Sequence, residues 1–218
     1  MTQNKSHAVM AQRFEAHDSL DFFPTPPWAA RAFCKYVVPI FGLTVWEPAC
    51  GNGSLVRGLL DYSNNVHATD IFPYGQPTEP HDFLWPTRPP QINGEVDWII
   101  TNPPFRLGEQ FAAWGLQHAR VGVALLVRTA FLEGTGRHAR LFRPFPPAII
   151  AQFTERVPMV KGRLDKGAST ATAYCWIVWK HEAKRTEFYW IPQCRAQLEK
   201  PSDYSPLFSR SLPNLEVA

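Results

Sequence analysis

Four consecutive residues, Asn102-Pro103-Pro104-Phe105, carry the most specific chemistry in the sequence. The two prolines fix the backbone and remove two N–H donors, so a loop carbonyl and the Asn102 side-chain oxygen remain as acceptors. Two acceptors suit a planar, amide-like NH2 group, because they would localise its delocalised lone pair on nitrogen. Phe105 offers a flat apolar face for stacking. The alternative interpretation is a proline-stiffened turn with a buried phenylalanine.

A second candidate site is the segment 47–53, which contains Glu47, Gly51 and Gly53. Paired glycines allow a tight turn and a close approach of the backbone to a ligand, although an ordinary turn has the same composition. The segment lacks both the third glycine of a dinucleotide fingerprint and a GK[ST] sequence, which disfavours a pyrophosphate cofactor. Glu47 would repel a phosphate, but its carboxylate suits a ligand that carries an ammonium group.

Asp70 follows the next predicted strand along the chain. A carboxylate at that position can accept hydrogen bonds from the ribose hydroxyls of a nucleoside, although a helix cap or a surface acid would look the same. Together with Glu47, it predicts a cofactor with a nucleoside, a positive charge and no phosphate. S-adenosylmethionine has this combination, since it contains an ammonium and a sulfonium group.

The elements that must position these residues alternate between strand and helix. The predicted strands are 43–46, 66–69, 96–100, 121–127, 148–153, 174–179 and 187–191, and the predicted helices are 27–41, 54–60, 107–119 and 135–142. This alternation predicts an α/β fold whose parallel sheet has a mixed edge, with ligands beyond the carboxyl ends of the strands. The charged turn 181–185 predicts that the last two strands form an antiparallel hairpin. Thr25, before two prolines, indicates the start of the first helix.

The combination of glycine loop and NPPF resembles the class I S-adenosylmethionine-dependent methyltransferases, and within them the N6-adenine group of DNA amino methyltransferases, which carries a [DNS]-P-P-[FYW] motif. Residues 128–134 and 153–158 look like segments of small phage and prophage adenine methyltransferases. The resemblance covers about residues 20–180. It implies a seven-stranded, mostly parallel Rossmann-like sheet with helices on both faces and an antiparallel C-terminal hairpin.

The resemblance also implies roles for individual residues. Asp82 matches the acid that contacts the cofactor adenine, and residues 21–26 match the segment that closes over the methionine part. The implied catalytic residues are Asn102, Pro103, Pro104 and Phe105. The implied cofactor-binding residues are Phe22, Thr25, Pro26, Glu47, Ala49, Gly51, Gly53, Asp70, Ile71, Asp82, Phe83 and Asn102.

Nucleic acid is the predicted partner, and the loop 155–172 is the predicted contact region. Its basic side chains are suited to phosphates, although a solvated surface loop would have the same composition. Chemistry on a base requires its extrusion from the stack, and Phe105 and Phe153 are the aromatic candidates for holding it. The predicted nucleic-acid-binding residues are Arg128, Phe153, Arg156, Lys161, Arg163 and Lys166.

Composition predicts a globular protein, with 45% hydrophobic and 19% charged residues and a net charge of only +3. There is no signal-peptide pattern and no apolar run of the roughly 20 residues that span a bilayer. Four scattered cysteines predict reduced thiols, no metal site and a cytoplasmic location. The expected organisation is an N-terminal arm (1–20), a methyltransferase domain (21–195) and a C-terminal tail (196–218), as a monomer or homodimer.

The sequence leaves the substrate open. The first hypothesis is methyl transfer to the N6 amino group of adenine in DNA. The same motif would serve cytosine N4, an adenine in RNA or a protein glutamine amide, so it does not separate these targets. A non-catalytic module that binds nucleic acid or cofactor is the third hypothesis, which the joint presence of Glu47, Asp70, Asp82 and Asn102 disfavours.

Overall fold

The computed structural model describes residues 21–77, 80–89, 92, 94–205 and 207. The predicted arm (1–20) and the end of the predicted tail lie outside these residues. The elements are α1 (Pro27–Tyr36), β1 (Val45–Glu47), α2 (Ser54–Leu59), β2 (Val66–Ala68), β3 (Val96–Thr101), α3 (Gly108–His118), β4 (Ala119–Arg128), α4 (Thr135–Arg137), β5 (Ile149–Phe153), β6 (Tyr174–Lys180), β7 (Glu187–Ile191) and α5 (Arg195–Leu198). Two 3-10 turns (Thr129–Leu132 and Pro201–Tyr204) and one π-helical turn (His138–Phe142) complete the set.

The seven strands form one sheet in the order β2-β1-β3-β4-β6-β5-β7. The pairs β1–β2, β1–β3, β3–β4 and β5–β7 are parallel, whereas β6 runs antiparallel to both of its neighbours. This arrangement confirms the predicted α/β class, the seven strands and the mostly parallel sheet. The order reverses at β1, and the carboxyl ends of β1, β2 and β3 therefore meet at one edge.

The predicted C-terminal hairpin is wrong in its pairing. Both strands exist, but β5 lies between β6 and β7, and β7 pairs with β5 in parallel. Burial explains this, because β6 is apolar and buried over six of its seven residues and needs a neighbour on each side, whereas β7 is exposed at four of five residues. The turn between them crosses the start of β5, where Thr186 Oγ1 donates to the Pro147 carbonyl at 2.6 Å.

Apolar side chains from the two faces of the sheet form two core clusters. On one face Ile100 and Leu126 pack with α1 and α2, and on the other Ile99 and Leu125 pack with α3. Successive residues of a strand point to opposite faces, so this alternation confirms the predicted helices on both sides. No helix among the described residues combines the length and apolar character that a membrane span requires.

Arg31 fastens the end of the described chain to α1. This arginine is 2% exposed, and its guanidinium forms two bonds to Asp203, of 2.7 and 2.6 Å. It also donates to the Leu198 carbonyl at 2.7 Å and pairs with Asp61. A buried charge requires such partners, since its desolvation is otherwise uncompensated. The first part of the predicted tail thus packs against α1.

Candidate functional site

A cleft lies beyond the carboxyl ends of β1, β2 and β3, at the predicted edge of the sheet. The segment 21–25 forms one of its walls. The predicted residues that line it are Phe22, Thr25, Glu47, Ala49, Gly51, Asp70, Ile71, Asp82, Phe83, Asn102 and Pro104. Four others are not on its wall: Pro26, Gly53, Pro103 and Phe105. Pro26 and Gly53 are instead the residues that precede α1 and α2.

The loop after β1 turns through two left-handed glycines, Gly51 with φ 52° and Gly53 with φ 81°. Position 51 also requires a residue without a side chain, because a Cβ there would lie 2.7 Å from the Phe22 ring. Its N–H donates to Asp70 Oδ2 at 2.8 Å, and Phe72 N–H donates to Asp70 Oδ1 at 3.0 Å. Asp70 is thus a buried acid that joins the ends of β1 and β2.

Glu47 is fully buried at the end of β1. Its Oε1 accepts a hydrogen bond from Ala49 N–H at 3.0 Å, and its Oε2 has no partner among the described residues. Burial raises the pKa of this carboxyl to about 8, and the Ala49 N–H and the Thr101 hydroxyl, which lies nearby without completing a hydrogen bond, oppose that shift. An acid in this environment is stabilised in its charged form by a cation in the cleft.

Asn102, directly after β3, presents an unpaired acceptor. Its Nδ2 donates to the Phe23 carbonyl at 3.0 Å, which leaves Oδ1 buried and without a partner among the described residues. A buried acceptor without a donor costs free energy, so the site favours a ligand that supplies an N–H or O–H group. Phe105 N–H also donates to Asp21 Oδ2 at 2.6 Å, so the loop that follows β3 is tied to the segment 21–25.

Phe105 is covered on one side by an arginine. Its ring packs against Phe23 with a centroid separation of 5.1 Å, and the guanidinium carbon of Arg128 lies 3.8 Å from its centroid. Arg128 ends β4 and is itself exposed. Beside it, burial raises the pKa of Tyr174, and the neighbouring Arg128 opposes that shift. A planar ring that stacked on this side of Phe105 would take the place of the guanidinium.

The cleft contains residues that sequence reasoning did not select. Tyr74 stacks on Phe22 with ring centroids 4.4 Å apart, and burial raises its pKa to about 12. His81 also lines the cleft, and its Nε2 is buried without a partner among the described residues. Both lie in the Pro/Gly-rich segment between β2 and β3, which has no periodic pattern to place a side chain. Asp21 is the third such residue: it belongs to the predicted closing segment 21–26 but was not predicted as a contact.

Two predicted cofactor contacts take unexpected local positions. The hydroxyl of Thr25 does not cap α1, which begins after Pro26 without a side-chain cap. Instead Thr25 Oγ1 is buried at the cleft without a partner among the described residues. Asp82 uses Oδ1 to accept from Leu84 N–H at 2.9 Å and lines the cleft. The interpretation of Thr25 as the helix start is therefore wrong.

The predicted nucleic-acid residues divide into exposed basic side chains and one buried ring. Arg156, Lys161, Arg163 and Lys166 are all exposed. Phe153 is only 4% exposed and packs edge-to-face on Trp28 at 5.7 Å, so it is part of the core. The predicted loop 155–172 is anchored midway, where Gly162 N–H donates to the Phe22 carbonyl at 2.9 Å.

No protein-family model matches the sequence, and no curated protein matches it significantly. Among solved structures, the chain is similar to the type I restriction-modification methyltransferase subunit of Streptococcus thermophilus, with a TM-score of 0.55 and 16% identity over 84% of this chain and 49% of that one. It is also similar to a modification subunit of a putative type I restriction enzyme from Vibrio vulnificus, with a TM-score of 0.54 and 18% identity over 81% of this chain and 48% of that one.

The chain has a Rossmann-like methyltransferase fold. At 16% and 18% identity the likeness shows the fold alone, and the chain spans about half the length of both proteins, 49% and 48%. The fold implied by the motif resemblance is thereby confirmed, apart from the pairing of its last two strands. The chemistry of the cleft then depends on its own residues, above all the unpaired oxygens of Glu47 and Asn102.

Proposed function

We propose that the chain binds S-adenosylmethionine in the cleft and transfers its methyl group to the exocyclic N6 amino group of adenine in DNA. The observation that carries the proposal is Asn102 Oδ1, a buried acceptor whose amide is fixed by the Phe23 carbonyl. Asn102 lines the same cleft as Glu47, whose Oε2 is the unpaired oxygen of a fully buried carboxyl. Asn102 Oδ1 suits an amino group, and Glu47 Oε2 suits a cation.

The residues of the cleft fit this cofactor. Glu47 Oε2 would hold the ammonium group, which lowers the pKa of the carboxyl from its raised value. Asp70 lines the cleft and would accept from the ribose hydroxyls, with Asp82 at the adenine. Gly51 has no side chain and leaves room for the cofactor beside the loop that follows β1, and the Phe22 ring lies over that loop. When bound, S-adenosylmethionine supplies an electrophilic methyl group on a positively charged sulfur.

The target nitrogen would be held by Asn102 Oδ1 and a carbonyl of the proline loop. Two accepted hydrogen bonds pull an aromatic NH2 group towards tetrahedral geometry, which makes its lone pair available for attack. The Phe105 face, now covered by Arg128, would carry the ring of the extruded base. Arg128 then becomes free to contact a phosphate. The choice of DNA follows the motif resemblance, and the shared fold with type I modification subunits supports it.

The test uses methyl-labelled S-adenosylmethionine with DNA, RNA and protein substrates, followed by digestion and identification of the modified unit. The proposal predicts N6-methyladenine in DNA. Label at cytosine N4, in RNA adenine or in protein glutamine would contradict the proposed substrate but would leave methyl transfer to a planar nitrogen standing. Cofactor binding without transfer to any substrate would instead support a non-catalytic module.

Asn102→Ala isolates the role of the acceptor. The rate of transfer is expected to fall about 100-fold or more, which is the typical effect of removing one positioned polar group from a reactive site. Cofactor affinity should change little, since Glu47 and Asp70 remain. Asn64→Ala, an exposed asparagine on the loop before β2, is the matched control and should retain the full rate. Undiminished transfer by Asn102→Ala would contradict the proposed mechanism.

A further inference from the structure

Edge strand β7 displays two large aromatic side chains to solvent. Phe188 is 56% exposed and Trp190 is 60% exposed. As alternate residues of a strand they lie on the same face, and their rings meet edge-to-face with centroids 4.9 Å apart and planes at 77°. Exposed aromatic surface of this kind commonly marks a binding site.

The two rings line a groove that continues onto the carboxyl ends of β4 and β5. Arg156 lies in this groove, is exposed, and makes no hydrogen bond or ion pair within the part of the chain that the structure describes. The groove also contains Glu155, but its Oε1 accepts from the N–H groups of Cys194 and Arg195 at 2.6 and 2.8 Å. Glu155 is thus held by backbone N–H groups, and Arg156 is the basic side chain of the groove.

Strand register connects this groove to the reactive loop. Trp190 lies opposite Gln152, Gln152 opposite Cys175, and Cys175 opposite Val127. The residue after Val127 is Arg128, which points to the other face of the sheet and covers Phe105. Three strand spacings separate β7 from β4, a distance of about 14 Å along the sheet. A nucleotide chain that passes over the carboxyl ends of the strands, with one base at Phe105, could place a nearby base at Trp190.

We propose that Phe188 and Trp190 form a stacking site for a nucleobase that flanks the target in the same strand, with Arg156 at its phosphate. The inference rests on the proposed function. Aromatic faces beside a free guanidinium are the combination that binds unstacked nucleotides, because each base has a π face and each linkage a negative charge.

The experiment compares the double variant Phe188→Ala/Trp190→Ala with Tyr189→Ala. Tyr189 is 42% exposed on the same strand but points to the other face, so it controls for loss of exposed aromatic area. Affinity for fluorescein-labelled single-stranded and duplex DNA of mixed sequence is measured by anisotropy, and cofactor affinity by calorimetry. The double variant is expected to bind DNA about tenfold or more weakly, since the loss of one stacked base has an effect of this size. Tyr189→Ala should match the wild type.

A crosslink provides a second readout that does not depend on the folding of a variant. Irradiation of the wild type with DNA that contains 5-bromouracil should attach the nucleotide to Phe188 or Trp190, as identified by mass spectrometry. Unchanged DNA affinity in a folded double variant would overturn the proposal. If light scattering also showed an altered oligomeric state for that variant, the two rings would be assigned to a protein contact. In either case methylation of DNA by the wild type would leave the proposed function standing. A wild type that neither binds nor methylates nucleic acid would overturn both.

Discussion

The side-chain amide of Asn102 donates from Nδ2 to the main-chain carbonyl of Phe23, at 3.0 Å. A carbonyl accepts but cannot donate, so this bond decides which end of the amide faces the cleft. Phe23 belongs to the segment 21–25, which also forms a wall of the cleft. The segment 21–25 therefore orients the amide of Asn102 as well as enclosing the cleft.

Asn102→Asp tests that orientation. A carboxylate keeps the acceptor but loses the donor to Phe23, and its oxygen would meet the carbonyl with repulsion. We expect kcat to fall about tenfold, because one hydrogen bond of roughly 1.4 kcal/mol no longer holds the group. Steady-state kinetics at saturating cofactor measures this change. A kcat equal to that of the wild type would show that the Phe23 bond has no part in positioning.

Glu47→Gln is expected to stabilise the cofactor-free protein at alkaline pH. The folded-state pKa is raised from 4.5 to about 8, so folding favours the protonated carboxyl. This contribution is fully present below pH 4.5 and is lost as the pH rises through about 8. Glutamine stays neutral throughout, and the variant should gain on the order of 1 to 3 kcal/mol over the wild type between these limits.

Thermal unfolding at pH 5 and pH 8 measures this difference. The Tm of Glu47→Gln relative to the wild type should be several degrees higher at pH 8 than at pH 5. The same variant should lose cofactor affinity about tenfold or more, because a neutral amide does not pair with an ammonium group. A Tm difference that is independent of pH would contradict the raised pKa.

Gly51→Ala is expected to weaken cofactor binding through the Phe22 ring. Its Cβ would lie 2.7 Å from a ring carbon, so the ring must move from its stack on Tyr74. Gly42→Ala is a matched control, since Gly42 has a φ of +72° but no atom within 4 Å of an added Cβ. Both variants carry the backbone strain, about 1 kcal/mol, that alanine meets at positive φ. Calorimetric titration should show a loss of affinity, about tenfold, for Gly51→Ala alone.

Arg128→Ala is expected to reduce the salt dependence of DNA binding. If a base displaces the guanidinium from Phe105, the freed arginine contacts a phosphate, and its removal lowers the slope of log K against log salt by about 1. Lys180→Ala serves as the control, because Lys180 ends the antiparallel strand β6 at the opposite edge of the sheet. Equal slopes for the wild type and Arg128→Ala would place this arginine outside the interface.

Asp203→Ala is expected to destabilise the fold strongly. Arg31 is 2% exposed and would lose both bonds to its main partner, and breaking a buried pair costs about 3–5 kcal/mol. Lys200→Ala removes an exposed pair with Asp61 and should cost about 1 kcal/mol or less. Urea unfolding of both variants gives the comparison. Similar midpoints for the two would contradict a structural role for the buried pair.

Periodicity and motif spacing predicted the elements of the sheet and the residues Glu47, Asp70 and Asn102 that the cleft brings together. These predictions are correct because the carboxyl ends of neighbouring parallel strands lie at the same edge of a sheet, independently of the conformation of the loops. The pairing of β7 with β5 was not predictable, since a strand–turn–strand pattern does not state which strand lies between. The burial of Phe153, which was predicted to hold a base, and the position of Tyr74 in the cleft were not predictable for a related reason. Their burial depends on Trp28 and Phe22, which are distant in sequence.

The bond between Gly162 N–H and the Phe22 carbonyl joins two regions with different proposed ligands. Phe22 covers the cleft at Gly51, while Gly162 belongs to the basic loop 155–172. A ligand that orders one region lowers the entropic cost of ordering the other, and the effect is reciprocal. Methyl donor and nucleic acid would then bind with positive cooperativity, each increasing the affinity for the other by the same factor.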